Sequence, residues 1–159
     1  MKRLQVPQNT LHLAIGRGGG QESEIQAQLY PGYEDVSKQP GGGRLFDLKN
    51  VAGHRIDLKK TSNTRPQLDG TKFADLSQND RDIEIHFLIY KSRGKAKGQI
   101  QQIIVATYGE IQDNLDPRYL AHFRETKRLM NETGLYIMER FYLDLSTCKQ
   151  TIWAGANEL

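Results

Sequence analysis

Cysteine is nearly absent from this sequence: Cys148 is the only one among 159 residues. A lone cysteine excludes an internal disulfide framework and a cysteine-rich zinc site, and it is typical of a reducing compartment. No apolar run approaches the ~18 residues of a membrane-spanning helix, and the basic start MKRLQVPQNT lacks the apolar segment of a secretory signal. We therefore expect a soluble, cytoplasmic protein that folds without a disulfide or a structural metal.

Neither sign of charge dominates the sequence. It has 22 lysines and arginines against 19 acidic residues, a net charge of +3 and a pI of about 9.0. This balance permits a nucleic-acid partner without requiring one. The basic residues form two clusters, and either cluster alone is more often a solvated surface than a binding site. The first cluster is Lys91, Arg93, Lys95 and Lys97 in KSRGKAK, and the second is Arg118, Arg124, Lys127 and Arg128.

The first half of the chain predicts one helix and two short strands. A helix over 21–30 has Ile25 and Leu29 four residues apart and ends at Pro31-Gly32. Strands are predicted over 44–48 and 55–59, joined by a turn around Ala52-Gly53, and the polar segment 60–80 is predicted to be an extended loop.

The second half predicts a hairpin, a helix and further strands. Strands over 83–90 and 99–111 are joined by the basic, glycine-containing turn, and the helix over 117–132 begins after Asp116 and ends at Gly134. Segments 135–145 and 150–153 are predicted strands. Since no repeat or linker divides the chain, we expect one domain over 1–159, an α/β (α+β) fold with a mixed sheet flanked by helices.

Two aspartates and a lysine form the pattern most indicative of chemistry. If the 44–48 and 55–59 strands pair around Ala52, Asp47 lies opposite Asp57, with Cβ atoms roughly 4.5–5.5 Å apart. Lys59, two residues further along the strand, leaves the same face as Asp57. Facing carboxylates resist joint ionisation unless a divalent cation lies between them. This arrangement suits Mg²⁺-assisted hydrolysis of a phosphodiester, although D-x-K alone is more often a surface Asp–Lys ladder.

Two glycine-rich segments flank the other candidate residues. Glu22 and Glu24 begin the first helix directly after IGRGGG, where a carboxylate could complete a second metal position or merely favour the helix N-terminus. The glycines of GGGRLFD have two interpretations: they let a phosphate backbone approach closely, or they only form a tight turn.

This ordered set resembles the PD-(D/E)xK nuclease superfamily, which includes type II restriction endonucleases and archaeal Holliday-junction resolvases. The resemblance covers about residues 15–65, and AGHRIDLKKTSN is similar to the matching stretch of a type II restriction enzyme. Two positions depart from the usual pattern, because Phe46 replaces the proline before Asp47 and Asp57 replaces the commoner glutamate. The motifs are Gly20-Gln21-Glu22-Ser23-Glu24, Gly41-Gly42-Gly43-Arg44, Asp47 and Asp57-Leu58-Lys59.

The resemblance implies a restriction-endonuclease-like mixed sheet and a nuclease domain, with a catalytic core over about 15–110. It implies that Asp47, Asp57 and Leu58 hold Mg²⁺, for which Mn²⁺ can substitute. It also implies that Lys59 is the catalytic lysine and Glu22 the helix glutamate. The region 116–153 would serve dimerisation or DNA contact, since cutting both strands of duplex DNA with one small domain requires two copies.

Residues able to contact DNA lie around this core and in the second half. Arginine suits guanine, asparagine and glutamine suit adenine, and lysines suit phosphates. The abundance of glutamine and asparagine favours sequence-specific cleavage of the restriction type. A structure-specific nuclease (a Holliday-junction resolvase or a mobile-element nuclease) and a non-catalytic DNA-binding domain of the same fold are the alternatives. The DNA-contact candidates are Arg44, Lys60, Asn63, Arg65, Lys91, Arg93, Lys95, Lys97, Gln99 and Gln101.

Overall fold

The computed structural model describes residues 1–6, 22–37, 45–95 and 97–153. The chain forms two compact units, one of Met1–Asn63 with Ile83–Thr107 and one of Thr64–Asp82 with Tyr108–Leu159. Within the described ranges, no helix is long and apolar enough to cross a membrane.

The described part of the first unit is a six-stranded mixed sheet with one helix. Its elements are β1 (Lys2–Leu4), α1 (Glu22–Leu29), β2 (Tyr33–Asp35), β3 (Leu48–Asn50), β4 (Arg55–Thr61), β6 (Glu84–Tyr90) and β7 (Ile100–Thr107). The strand order is β1-β7-β6-β4-β3-β2, in which β4 and β6 are parallel and the other neighbours antiparallel. The predicted mixed α/β class is therefore confirmed.

Alternation along β4 separates the two faces of this sheet. Ile56 and Leu58 join a buried cluster with Ile25 and Tyr30, so α1 and the residue that follows it cover this face. We call it the helix face. Because side chains alternate along a strand, Asp57 and Lys59 leave the opposite face, as predicted. We call that second face the acid face.

A tight hairpin joins β3 to β4. Leu48 pairs with Ile56 and Lys49 with Arg55, and the Asn50 N–H donates to the His54 carbonyl at 3.0 Å. Gly53 has φ +87°, a left-handed conformation that glycine adopts without a steric penalty. The predicted turn is thus confirmed. The predicted strand over 44–48 is wrong, because the tight turn pairs β4 with the residues directly before it, so that the strand is 48–50.

The described part of the second unit contains a three-stranded sheet in the order β5 (Gln67–Asp69), β8 (Arg140–Asp144) and β9 (Lys149–Trp153), and a core of packed aromatic rings. Phe73 lies 4.9 Å from Tyr108 and 5.6 Å from Phe141, centroid to centroid. Gly70 faces Phe123 so closely that an added Cβ would approach its ring to 2.5 Å. The elements are β5 (Gln67–Asp69), the 3₁₀ turns Gly70–Phe73 and Asp80–Asp82, α2 (Tyr108–Asp113), α3 (Pro117–Thr133), β8 (Arg140–Asp144) and β9 (Lys149–Trp153).

The sequence signals of α3 are confirmed at both ends. Asp116 caps the helix by accepting the Arg118 N–H at 2.9 Å, and Gly134 ends it in a left-handed conformation with φ +70°.

Three other predicted segments are wrong in part. The loop 60–80 contains the end of β4 and all of β5, since Leu68 pairs with Phe141 in a strand contact that no local pattern shows. The strand predicted over 99–111 ends at Thr107 and continues as α2, and the strand over 135–145 begins only at Arg140.

Candidate functional site

The β3–β4 hairpin brings Asp47 and Asp57 together on the acid face. Asp47 directly precedes Leu48 and Asp57 directly follows Ile56, the last pair of the hairpin, and a side-chain hydrogen bond joins the two carboxyl groups. The Asp47 N–H donates to the Ile56 carbonyl at 2.9 Å, and the Asp47 Oδ2 accepts the Leu58 N–H at 2.8 Å. The predicted juxtaposition of the two carboxylates is thus seen in the structure.

Lys59 completes this group. Its Nζ lies 3.3 Å from the Asp57 Oδ2, and the Lys59 side chain is 32% exposed while that of Asp57 is 7% exposed. Asp47 is half-buried. The group is therefore accessible to water at Lys59 and Asp47, while Asp57 lies buried beneath them. We call Asp47, Asp57 and Lys59 the acid site.

The electrostatics of the acid site are unfavourable when both carboxyl groups are ionised. Burial raises the pKa of Asp47 to about 7 from 3.8, with further contributions from the charge of Asp57 and a hydrogen bond to it. The Leu58 N–H and the Lys59 charge oppose this rise. The Asp47 carboxyl is therefore partly protonated near neutral pH, and a cation that binds there would displace the proton to solvent.

The donor set fits a divalent cation with oxygen ligands. Mg²⁺ is commonly bound through one or two carboxylates and keeps several of its waters. Among the described residues, no three His, Cys, Asp or Glu side chains converge as a metal-binding group, so the two aspartates would need oxygen atoms from backbone and water. Leu58, the third predicted ligand, can offer only its carbonyl.

The hydrogen bond from the Leu58 N–H shows in which direction the Leu58 carbonyl points. In a β-strand, the N–H and C=O of one residue point to the same side. Since the Leu58 N–H points at Asp47, the Leu58 carbonyl also faces the β3 side of β4. It is therefore suitably placed to supply an oxygen ligand beside the two carboxylates.

Glu22, the predicted helix glutamate, begins α1. The described residues of this helix pack on the helix face, opposite the acid site. The side chains of Glu22 and of its alternative Glu24 lie outside the described part, so their metal-binding role stays a prediction.

The helix face carries a chain of polar side chains that the sequence did not reveal. The His54 Nε2 lies 3.1 Å from Glu84 Oε2, and the His86 Nε2 lies 2.8 Å from Glu84 Oε1. The second nitrogen of each histidine meets a tyrosine: His54 Nδ1 bonds to the Tyr33 hydroxyl, and His86 Nδ1 lies 2.7 Å from the Tyr30 hydroxyl. We call these five residues the polar chain.

Only part of the polar chain had a sequence signal. Glu84 and His86 are two residues apart at the start of a strand, which places them on one face. The approach of Tyr30, Tyr33 and His54 depends on the packing of α1 and β2, which no local spacing indicates.

The first basic cluster lies in the loop between β6 and β7. Lys91, Arg93, Lys95 and Lys97 are all exposed, and the loop closes where the Gly98 N–H donates to the Lys91 carbonyl at 2.7 Å. Asp57 pairs with Ile85 on β6, so six residues, or about 20 Å of strand, separate its level from Lys91. That distance is about six base-pair steps of duplex DNA.

The second basic cluster is largely neutralised by neighbouring acids. Arg118 lies 3.0 Å from Asp116 and Arg124 lies 4.0 Å from Asp75. Arg128 is held by Glu125 and Glu132 on the same face of α3. This face of α3 therefore offers little net positive charge to a phosphate backbone.

The other DNA-contact candidates are dispersed. Lys60 is half-buried in β4 and Gln99 is half-buried, whereas Asn63, Arg65 and Gln101 are exposed. Arg44 lies outside the described residues.

The β5–β8 ribbon of the second unit carries polar side chains on one face. Gln67 pairs with Tyr142 and Asp69 with Arg140, while the intervening Leu68 is buried. The Arg140 guanidinium lies 3.4 Å from the Gln67 amide oxygen. Arginine and glutamine side by side on an exposed β-ribbon can form hydrogen bonds to base edges.

Comparison with known proteins gives no further guide. No protein-family model, no curated protein and no solved structure matches this chain. The resemblance to the PD-(D/E)xK superfamily therefore depends on the sequence motifs.

Proposed function

We propose that this protein is a Mg²⁺-dependent endonuclease that hydrolyses phosphodiester bonds of duplex DNA. The observation that carries the proposal is the meeting of Asp47, Asp57 and Lys59 on one face of the sheet, with a 3.3 Å contact between lysine and aspartate. The raised pKa of Asp47 supports it, because a carboxylate pair that is costly without a cation is suited to binding one.

Each residue of the acid site has a distinct role in this proposal. Asp47 and Asp57 would hold the cation, with the Leu58 carbonyl as a third oxygen. When bound, Mg²⁺ would lower the pKa of a water beside it and would neutralise charge that develops on the phosphate. Lys59, which is partly exposed beside Asp57, orients the attacking water or contacts the scissile phosphate.

Two surfaces support duplex DNA as the substrate. The exposed basic loop would contact phosphates, which fix the register of the duplex without reading its sequence. The polar face of the β5–β8 ribbon, with Gln67 and Arg140, would read base edges. These base-reading side chains favour a restriction-type enzyme over a nuclease that recognises DNA shape alone.

Cleavage assays on plasmid and phage DNA would test the proposal. We expect discrete fragments with Mg²⁺ or Mn²⁺, none with EDTA and none with Asp57→Asn. The matched control is Asp144→Asn, which alters a strand aspartate that accepts the Ser146 N–H at 2.8 Å in the second unit. This variant should cleave as the natural protein does.

The form of the products distinguishes the alternatives. A smear of fragments would show nonspecific cleavage, and a resolved four-way junction with intact linear DNA would show a junction-resolving enzyme. A folded protein that binds DNA equally with Mg²⁺ or EDTA, and cleaves none of these substrates, would be a binding domain and would overturn the proposal.

We further propose that the enzyme is a homodimer, because two copies of the acid site are needed to cut both strands. Four large apolar side chains are exposed in the region from which an interface is expected: Leu129 is 38%, Leu135 66%, Tyr136 63% and Met138 45% exposed. Light scattering should give twice the chain mass, and Leu135→Lys should lower it. A monomeric natural protein that cuts both strands would contradict this assembly.

A further inference from the structure

The polar chain ties together most strands of the first unit's sheet. Tyr33 lies on β2, His54 follows the β3–β4 turn and Glu84 begins β6, so the chain passes laterally across β3 and β4. Lys2 of β1 extends it, with its Nζ 3.9 Å from the Glu84 Oε2. His86 is 4% exposed and Tyr30 7% exposed, so the inner part of the chain is fixed by packing as well as by hydrogen bonds.

The two aspartates of the acid site are held to different extents by the sheet. Asp57 lies within the six paired positions that join β4 to β6. Asp47 precedes a strand of only three residues, which has two paired positions with β4 and an edge strand as its other neighbour. Two hydrogen bonds join Asp47 itself to β4, from its N–H to the Ile56 carbonyl and from the Leu58 N–H to its Oδ2. Repulsion between the carboxylates acts against these bonds and against the short β3–β4 pairing, and it favours separation of β3 from β4.

The hydrogen-bonded link from Tyr33 through His54 to Glu84, which we call the tie, opposes that separation. It links β2, on the outer side of β3, to the turn that leads into β4, and Glu84 anchors it to β6. The link lies about 10 Å from Asp57, three residues along β4, and on the opposite face of the same strands. It can therefore restrain the hairpin without contacting a bound metal or substrate.

We infer that Tyr33 and His54 are positioning residues that hold Asp47 at its metal-binding distance from Asp57. This inference rests on the proposed nuclease function. Outer-sphere partners of metal ligands commonly contribute about 10–100-fold to affinity. Because the tie acts through the hairpin and not through a ligand, we expect about fivefold weaker metal binding when it is broken.

The test is metal affinity, measured separately from activity. Mn²⁺ is titrated into metal-free protein and the free ion is followed by electron paramagnetic resonance. His54→Ala should weaken Mn²⁺ binding about fivefold. Tyr33→Phe, which removes one oxygen and keeps the ring packing, should weaken it in the same direction. At saturating Mg²⁺ both variants should regain most of the cleavage rate, because the residues that contact substrate are unchanged.

His122→Ala is the matched control. His122 and Glu139 form a second partly buried pair at 3.0 Å in the other unit, with side-chain exposures of 31% and 23% against 38% and 18% for His54 and Glu84. This control should leave Mn²⁺ affinity unchanged even if it lowers thermal stability as much as His54→Ala does.

The possible failures are distinguishable. Natural protein that cleaves DNA while folded His54→Ala and Tyr33→Phe bind Mn²⁺ with unchanged affinity would overturn the positioning role alone. Equal weakening by His122→Ala would also overturn it. Natural protein that neither binds Mn²⁺ nor cleaves DNA would instead overturn the proposed function.

Discussion

The two faces of the first unit's sheet show opposite electrostatics on the same strands. On the acid face, the carboxyl groups of Asp47 and Asp57 meet each other, and the pKa of Asp47 rises to about 7. On the helix face, Glu84 is shared by two imidazoles, and hydrogen bonds from His86 and His54 hold its pKa below the usual value despite burial.

This contrast suggests different roles for the two faces: Glu84 stabilises the fold, whereas the Asp47–Asp57 pair is suited to binding a cation. A carboxylate that accepts hydrogen bonds from two partners has its hydrogen-bonding capacity met within the fold. It therefore stabilises the protein without a bound cation. The pKa of Asp47 stays raised even with the Leu58 N–H and Lys59 beside it. Ionising both carboxylates of the acid site therefore carries a cost that a bound cation or proton relieves. Functional sites commonly carry such a cost while the surrounding structure holds them in place.

The largest expected effect is on cleavage, from loss of one carboxylate of the acid site. Asp57→Asn should lower the cleavage rate at least about 10³-fold, since a metal ion contributes several kcal/mol to transition-state stabilisation. Glu84→Gln, on the other face, should lower it far less. Single-turnover cleavage measures both, and a comparable loss in the two variants would remove the distinction between the faces.

Next in size is the effect of removing Glu84 on stability. Glu84→Leu leaves two histidines without their shared carboxylate and should cost about 3 kcal/mol in the free energy of unfolding. Glu139→Leu, which removes a carboxylate bonded to one histidine, His122, should cost less. Urea denaturation at pH 7 measures both values, and an equal cost would show that sharing by two histidines adds nothing.

The third prediction concerns the pH dependence of stability without metal. Because the pKa of Asp47 is raised in the folded state, its contribution is fully present below the unfolded pKa of 3.8 and is lost as pH rises through about 7. Asp47→Asn imitates the protonated carboxyl. We therefore expect it to match the natural protein at pH 4 and to be more stable at pH 8.

The size of that difference should be about 2 kcal/mol, after discounting the shift for the partial exposure of Asp47. Glu84 and His86 act in the opposite direction, because both of their pKa values are lowered in the folded state. Their contributions are lost as pH falls below their ordinary values of 4.5 and 6.5. Subtracting the variant's stability curve from that of the natural protein isolates Asp47, and a flat difference would contradict its raised pKa.

The smallest expected effect is that of the innermost hydrogen bond of the polar chain. Tyr30→Phe removes the 2.7 Å contact with His86 Nδ1 and should cost about 1 kcal/mol in the free energy of unfolding. Urea denaturation measures the cost, and Mn²⁺ titration should show no change in metal affinity, because α1 and β6 remain packed. A loss of affinity as large as that of His54→Ala would show that the whole chain positions the acid site.

Sequence patterns predicted the local features of this fold well and the long-range ones poorly. The hairpin around Gly53, the strand β6 and the caps of α3 each follow from a few adjacent residues. The strand β5 within a polar segment, and the end of β7 at Thr107, depend on β8 and on the aromatic core around Tyr108. A neighbour that is remote in sequence leaves no local signal at these positions.

The candidate site divides in the same way. Its acid site was predictable because Asp47 and Asp57 lie only ten positions apart on either side of one turn, so a hairpin brings them close together. Neutralisation of the second basic cluster was less apparent, since the partner of Arg124 is Asp75, which is remote in sequence. The polar chain was not predictable, because its five residues come from four separate segments: the residue after α1, β2, the β3–β4 turn and β6.

The sequence by itself therefore determined which face of β4 carries Asp57 and Lys59, since alternation along a strand is fixed by backbone geometry. It also determined the opposition of Asp47 to Asp57, through the length of the hairpin. Only the tertiary structure decided how deeply Asp57 is buried and how far the pKa of Asp47 rises. Burial and charge coupling depend on every group that surrounds a carboxyl, and folding brings those groups together from distant parts of the chain.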